Sequence, residues 1–218
     1  MDIIDQSGVL NSTDGTAVEK VEQLIDLAEL KPIIQDTIDT IGGPVFQNWQ
    51  LTTEQVGLFD FSKTPSMSGT FRNNKVITSL FINAPQATAL SMMVNGCSNL
   101  KTVVLTDTSK VGEWSNSFVG ATNIESIETL NFISAYSWLT GAFANLPNLI
   151  TIKIVPETIP TNISFARSST LNDESIQSII DGLATVETAQ TLTLHADVKA
   201  KLTDEQLATI TGKNWNLA

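Results

Sequence analysis

The strongest constraint on the fold is an internal repeat. Three stretches of the 218-residue chain, 94–103, 118–127 and 143–152, align on one pattern. It runs apolar residue, four variable positions, Asn, Leu or Ile, one variable position, Ser or Thr, then Val or Ile. Asn99, Asn123 and Asn148 stand 24 and 25 residues apart, and Leu90, Trp114 and Trp138 mark a second shared position 24 apart. One period earlier the pattern continues through Phe71 and residues 77–82, with Val76 in the Asn place. One period later it continues through Phe165 and Leu171, with Thr170 in that place. This makes roughly five copies of a unit of about 23 residues.

One such unit cannot bury its own apolar residues, whereas stacked units share a continuous core. A period of 20–29 residues with spaced Leu or Ile and an Asn is a leucine-rich-repeat pattern. Each copy then supplies a short strand whose alternate residues face inward. Leu100, Val103 and Leu105 are expected inside, with Thr102 and Val104 outside. Leu149, Ile152 and Ile154 are expected inside, with Thr151 and Lys153 outside. The Asn side chains are expected to satisfy backbone groups inside the bend before each strand. The fold class expected is α/β: a leucine-rich-repeat solenoid over 71–218 with a helical C-terminal cap from about 171.

Charge divides the chain. Residues 1–62 hold 11 acidic side chains and 2 lysines, a balance of −9; residues 63–218 hold 12 acidic and 10 basic, a balance of −2. The first part reads as an N-terminal arm and helix, 1–43, and a connector, 44–70. Thr16 and Glu19 have capping-box spacing, and a helix is expected from about 17 to 41. Pro32 is expected to kink or split it, and Gly42 and Gly43 to end it. Its apolar face is wide: Val18, Val21, Leu24, Ile25, Leu27, Leu30, Ile34 and Ile38. That face either packs on its own domain or forms an oligomerisation helix, and the second reading is taken forward. In the connector, residues 56–61 are expected to form a strand, and 65–69 a loop.

The segment 141–152 resembles the BspA-type leucine-rich repeats, with their Ala-Phe…Cys-x-x-Leu-x-x-Ile pattern. Cys97 stands at or next to the Cys of that pattern, and Ala121 and Leu146 replace it in the next copies. The resemblance covers about 71–172. Further on, a capped amphipathic helix over 171–183 and a strand over 191–194 are followed by a last helix opening at Leu202 and the ending 212–218. Together these resemble the C-terminal cap of repeat proteins carried by tailed bacteriophages of gut bacteria. Residues 21–26 and 31–43 resemble the head of such proteins. The resemblance implies a virion protein, a fibre or decoration subunit on head or tail. No basic segment followed by an apolar one opens residues 1–30, so an export leader is not expected. That favours the virion over a bacterial cell-surface adhesin of the BspA type, the alternative.

The residues offer little for catalysis. There is one cysteine, Cys97, and one histidine, His195, expected as a core residue and as a surface or capping residue. Asp173, Glu174, Asp204 and Glu205 sit in first helical turns, where acids suit the helix dipole. Glu125 and Glu128 are expected on opposite faces. No phosphate loop, Ser/His/Asp arrangement or acidic calcium loop is found, so the expectation is no enzyme and no cofactor. A pI near 4.4 argues against nucleic acid, and no apolar run reaches membrane-spanning length.

Two sets of side chains remain as binding candidates. The outward strand positions Ser79, Phe81, Thr102, Val104, Ser126, Glu128, Thr151 and Lys153 form a sheet face suited to a protein, a glycan or a neighbouring subunit. Trp114, Tyr136 and Trp138 form either a packing ladder or an exposed aromatic strip. The partners expected are other copies, with a trimer preferred, other virion proteins through the N-terminal segment, and a host surface protein or glycan.

Overall fold

The computed structural model describes residues 27–136 and 139–218 of the chain. It is a mixed α/β fold with two parallel sheets. The first sheet holds β1 (Ser79–Ile82), β2 (Thr102–Leu105), β3 (Ser126–Leu130) and β4 (Thr151–Ile154), in sequence order. Equivalent positions of the sequence repeat lie side by side: Ser79 pairs with Thr102, Thr102 with Ser126, and Ser126 with Thr151. A register shift between Ile127 and Leu130 bulges β3, and Thr129 takes φ 66° there. Leu80, Val103, Ile127 and Ile152 point inward and are buried, as are Ile82, Leu105, Leu130 and Ile154. β1, β2 and β4 bury with the period of two that an amphipathic strand requires, while the bulge in β3 sets Ile127 and Leu130 three apart.

Behind the strands stands a column of aromatic and apolar side chains, Phe46, Phe71, Val94, Phe118, Phe143 and Phe165, all fully buried. Phe118 and Phe143 ring centres lie 5.2 Å apart, and Phe143 and Phe165 5.3 Å. The backbone around this column is itself a ladder. Met67, Gly69, Phe71 and Asn73 donate their N–H groups to the carbonyls of Ala89, Ser91, Met93 and Asn95. Leu90, Met92, Val94 and Gly96 donate in the same sense to Glu113, Ser115, Ser117 and Val119. The conformation needs left-handed residues at two positions per copy. Gly69, Met92 and Asn116 occupy one, and Asn73, Gly96 and Gly120 the other, all with φ between 54° and 78°. Asn and Gly are the residues that adopt it at least cost; Met92 is the exception.

The conserved-looking asparagines of the repeat do not work from inside the bend. Asn99, Asn123 and Asn148 are exposed. Each donates to the preceding copy, to the carbonyls of Lys75, Ser98 and Thr122 at 2.7–3.0 Å. The inside role belongs to Asn74, fully buried, which accepts from the N–H groups of Val76 and Ile77 and donates to Leu51.

Both ends of the first sheet are closed by hydroxyls. Before β1 the chain forms a short helix, α2 (Thr53–Val56), opened by a capping box of Thr52 and Gln55. The Thr53 hydroxyl donates to the carbonyl of Ser79 and accepts from its N–H. This replaces the strand expected over 56–61; Thr52 and Gln55 make a helix start, and turn hydrogen bonds follow it. Past β4 lies the helix α4 (Asp173–Gly182), N-capped by Asn172. Ser175 accepts from Ile152 N–H and donates to Ile150, and one helical turn later Ser178 accepts from Ile154 N–H. An open strand edge invites pairing with another chain; here hydroxyls engage Ser79 at the β1 edge and Ile150, Ile152 and Ile154 at the β4 edge.

The second sheet is β5 (Ile163–Phe165), β6 (Gln190–Leu194) and β7 (Trp215–Leu217). β5 packs on the short helix α3 (Leu139–Ala142), so this sheet continues the aromatic column, while α4 continues the strand column. The helices α5 (Ala196–Lys199) and α6 (Asp204–Gly212) complete the cap. Lys213 locks it: its Nζ donates to the carbonyls of Ile180, Asp181 and Leu183 at 2.7–3.3 Å and pairs with Glu157 at 2.7 Å.

At the other end, α1 (Leu27–Thr40) runs through Pro32 without the expected break. Its Ile38 is buried and Ile34 packs against the core. Gln35 bridges to the backbone of Asp60 in both directions. Gly42 ends it with φ 61°, and a Cβ there would lie 2.2 Å from the carbonyl of Ser66. Residues 44–70, expected as a connector, contribute Phe46, Phe59, Phe61 and Met67 to the one continuous core. The aromatic spacing that extends the repeat column back to Phe46 is the reason.

Candidate functional site

The outer face of β1–β4 gathers all eight strand positions singled out from the sequence. Two rows cross it. The first is Ser79, Thr102, Ser126 and Thr151, four hydroxyls in direct register. The second begins with Phe81, paired with Val104, which is paired with Glu128; Lys153 joins it through an ion pair with Glu128 at 3.1 Å. Phe81 is 66% exposed, and the four hydroxyl residues are half-buried between their neighbours. Beside the hydroxyl row, Lys101 pairs with Glu125 at 2.9 Å. Such exposed pairs contribute little stability, but they leave Glu125 and Glu128 each matched by a lysine. None of the four hydroxyls has a hydrogen-bond partner among the described residues.

Of the aromatic residues singled out, Trp114 takes no part in an exposed strip. Trp114 is fully buried, its Nε1 donating to the carbonyl of Val111 at 3.1 Å and its ring 4.8 Å from Phe132. It is a core residue because its indole N–H finds a carbonyl inside. Tyr136 is exposed and lies over Gly112. Trp138 lies outside the described residues.

The oligomerisation stripe divides. Val18, Val21, Leu24 and Ile25 lie outside the described residues; Leu27 opens α1. Ile38 is not available to another copy, because the chain's own core covers it, and Ile34 is partly covered too. Leu30 remains exposed, and so do Ile33 and Ile41 on the same flank of α1.

The groups that could do chemistry are placed apart. Cys97 is fully buried, its Sγ 3.0 Å from the carbonyl of Phe71, and burial pushes its thiol up to about 12. A thiol so placed is not a nucleophile. His195 N-caps α5, accepting from Asp197 N–H. Glu125 and Glu128 each face a lysine. Asp60 and Asp107 fall below the usual carboxylate range because the backbone N–H groups of Ser62 and Ser109 bond to them, with the serine hydroxyls adding to it. The backbone N–H of Glu54 and the Thr52 side chain hold the Glu54 carboxyl low in the same way. A small cavity lined by Ile82, Ala84, Leu90, Leu105, Asp107, Thr108 and Val111 has room for little beyond a water molecule. Among the described residues no group of three or more His, Cys, Asp or Glu could hold a metal. Among them, too, no helix is long and apolar enough to cross a membrane.

Sequence reasoning missed Thr53, Ser175, Ser178 and Lys213. The signal for the serines was in the pattern: at i and i+3 on a helix they share one face. Lys213 carries no local signal, since its partners lie 30–33 residues away. Comparison of the chain with protein-family models, with curated proteins and with solved structures returns no match.

Proposed function

We propose that the repeated units form a leucine-rich-repeat solenoid and that the chain is a non-enzymatic virion protein of a tailed phage. In this reading it is a fibre or decoration subunit whose β1–β4 outer face contacts a host surface or glycoprotein. The observation that carries the reading is the gathering of eight outward side chains into one continuous, charge-matched face, with nothing beside it built for catalysis. The acidic N-terminal segment is assigned to assembly and to docking on other virion proteins. Leu30 and Ile33 on α1, with Ile41 just past its end, are exposed among the described residues and are assigned to that contact, while Ile34 and Ile38 hold the helix to its own chain.

Two measurements test this. Labelled full-length protein is passed over immobilised mucin and over fixed gut bacterial cells, beside a Thr102→Arg/Ser126→Arg variant. Retention by the wild type and loss in the variant is the expected result; equal retention sinks the face assignment. Light scattering then compares the full chain with residues 27–218, a start that keeps the packed part of α1. A trimer of ~70 kDa that becomes a monomer on truncation supports the assembly role; two monomers contradict it.

A further inference from the structure

We propose that Asn95 is a deamidation site whose reaction the folded chain holds back, so that it runs only when the backbone ladder around it opens. Asn95-Gly96 is the one Asn-Gly pair in the sequence. In such a pair the backbone nitrogen of the glycine attacks the side-chain amide carbon of the asparagine, because no glycine side chain hinders the approach. The Gly96 nitrogen gives up its proton and bonds to Asn95 Cγ, and ammonia leaves. Water then opens the five-membered imide at one of its two carbonyls, which leaves aspartate or isoaspartate at position 95. Water is the only co-reactant.

The fold sets both the pair and its restraint. Gly96 stands at a left-handed position of its copy, with φ 76°, and a Cβ there would lie 2.7 Å from Asn73 Oδ1, so the backbone favours glycine. The copies on either side hold Arg72-Asn73 and Val119-Gly120 in the same two places, so neither repeats the reactive pair. The Asn95 carboxamide is half-buried and has no hydrogen-bond partner among the described residues. The restraint lies in the backbone. Gly96 N–H donates to the carbonyl of Val119 at 2.8 Å, and the Asn95 carbonyl accepts from Asn73 N–H at 2.8 Å. Lys75 Nζ donates to the Gly96 carbonyl. A nitrogen whose N–H is engaged in this way, in a peptide held to the copies on both sides, cannot lose its proton and turn onto Cγ. It is released when this rung opens locally. The product then acts on the same rungs. Isoaspartate carries the main chain through the former side chain, so the carbonyl that met Asn73 becomes a free carboxylate and one extra carbon enters between the two rungs. The modification, once made, weakens the stacking that had held it back.

The test incubates the full-length protein at mildly alkaline pH in water enriched in heavy oxygen, once folded and once unfolded in concentrated urea. Peptide mass spectrometry follows each asparagine, and an isoaspartate-specific methyltransferase separates the two products. Asn95→Gln, whose larger ring closes far more slowly, is run beside the wild type. In the unfolded wild type, position 95 should react ahead of every other asparagine and take up heavy oxygen, and Asn95→Gln should lose that fast phase. In the folded wild type the reaction at position 95 should be slower by about tenfold or more. Hydrogen exchange of the Gly96 amide gives the open fraction, which should match the ratio of folded to unfolded rates within about threefold. Folded protein aged until it carries isoaspartate at 95 should melt below fresh protein. An unfolded chain in which position 95 is no faster than the other asparagines overturns the site. A folded rate within about threefold of the unfolded one overturns the restraint by the ladder, and with it the inference.

Discussion

The edges and the outer face of the β1–β4 sheet use the same side chains to opposite effect. At the edges, Thr53, Ser175 and Ser178 turn their hydroxyls onto the backbone of β1 and β4. On the outer face, Ser79, Thr102, Ser126 and Thr151 meet no side-chain hydrogen-bond partner among the described residues. A Ser or Thr on a helix beside an edge strand can reach a backbone group that has lost its neighbour. The same residue on the strand itself cannot, because its own backbone and its neighbours' are already paired. The contrast separates a sheet closed against extension from a face left open to a ligand.

Damage at the ends is expected to cost most. Gly42→Ala puts a Cβ on the Ser66 carbonyl at a left-handed backbone position, so it should destabilise by ~3 kcal/mol, roughly 6–12 °C in thermal midpoint. An unchanged midpoint would show that α1 is not held to the core as described. At the other end, Lys213→Met strips the charge that holds three carbonyls at the C-terminus of α4. The expected loss is about 2 kcal/mol, read by urea denaturation. In the middle, Met92 is the one residue of its column that is neither Gly nor Asn. Met92→Asn should therefore stabilise, by up to about 1 kcal/mol, and a loss of stability would refute the strain.

The smallest effect is on acid stability. Asp60 and Asp107 have carboxyls held low by Ser62 and Ser109. With the folded value below the unfolded one, their contribution is present above the ordinary aspartate range and is lost as pH falls through the folded value. Asp60→Asn/Asp107→Asn should lower the neutral plateau slightly and flatten the acid limb of stability against pH, so that variant and wild type converge in acid. A steeper acid limb in the variant would contradict the assignment.

The repeat was legible because the same apolar spacing recurs between copies: Leu100, Val103 and Leu105 return as Leu149, Ile152 and Ile154. The eight outward positions follow from the same alternation. Less was legible where contacts skip a copy or cross from helix to strand. The Asn99 series was recognised as a column, yet nothing local says that each side chain reaches back to the preceding copy. Trp114 reads alike as core or surface, and only the Val111 carbonyl within reach of its N–H decides. Within 44–70 the strand expected over 56–61 was misread, because the capping box of Thr52 and Gln55 that opens a helix there was not recognised.

The most direct measurement is scanning calorimetry of two double variants, Ser175→Ala/Ser178→Ala from the closed end and Thr102→Val/Ser126→Ala from the open face. The first leaves the N–H groups of Ile152 and Ile154 without partners, and its midpoint should fall by roughly 4–16 °C, equivalent to about 2–4 kcal/mol. The second removes hydroxyls that bond to nothing in the fold, and its midpoint should stay within about 2 °C of the wild type. Equal falls in the two variants, or a first variant as stable as the wild type, would contradict the division between closed ends and an open face.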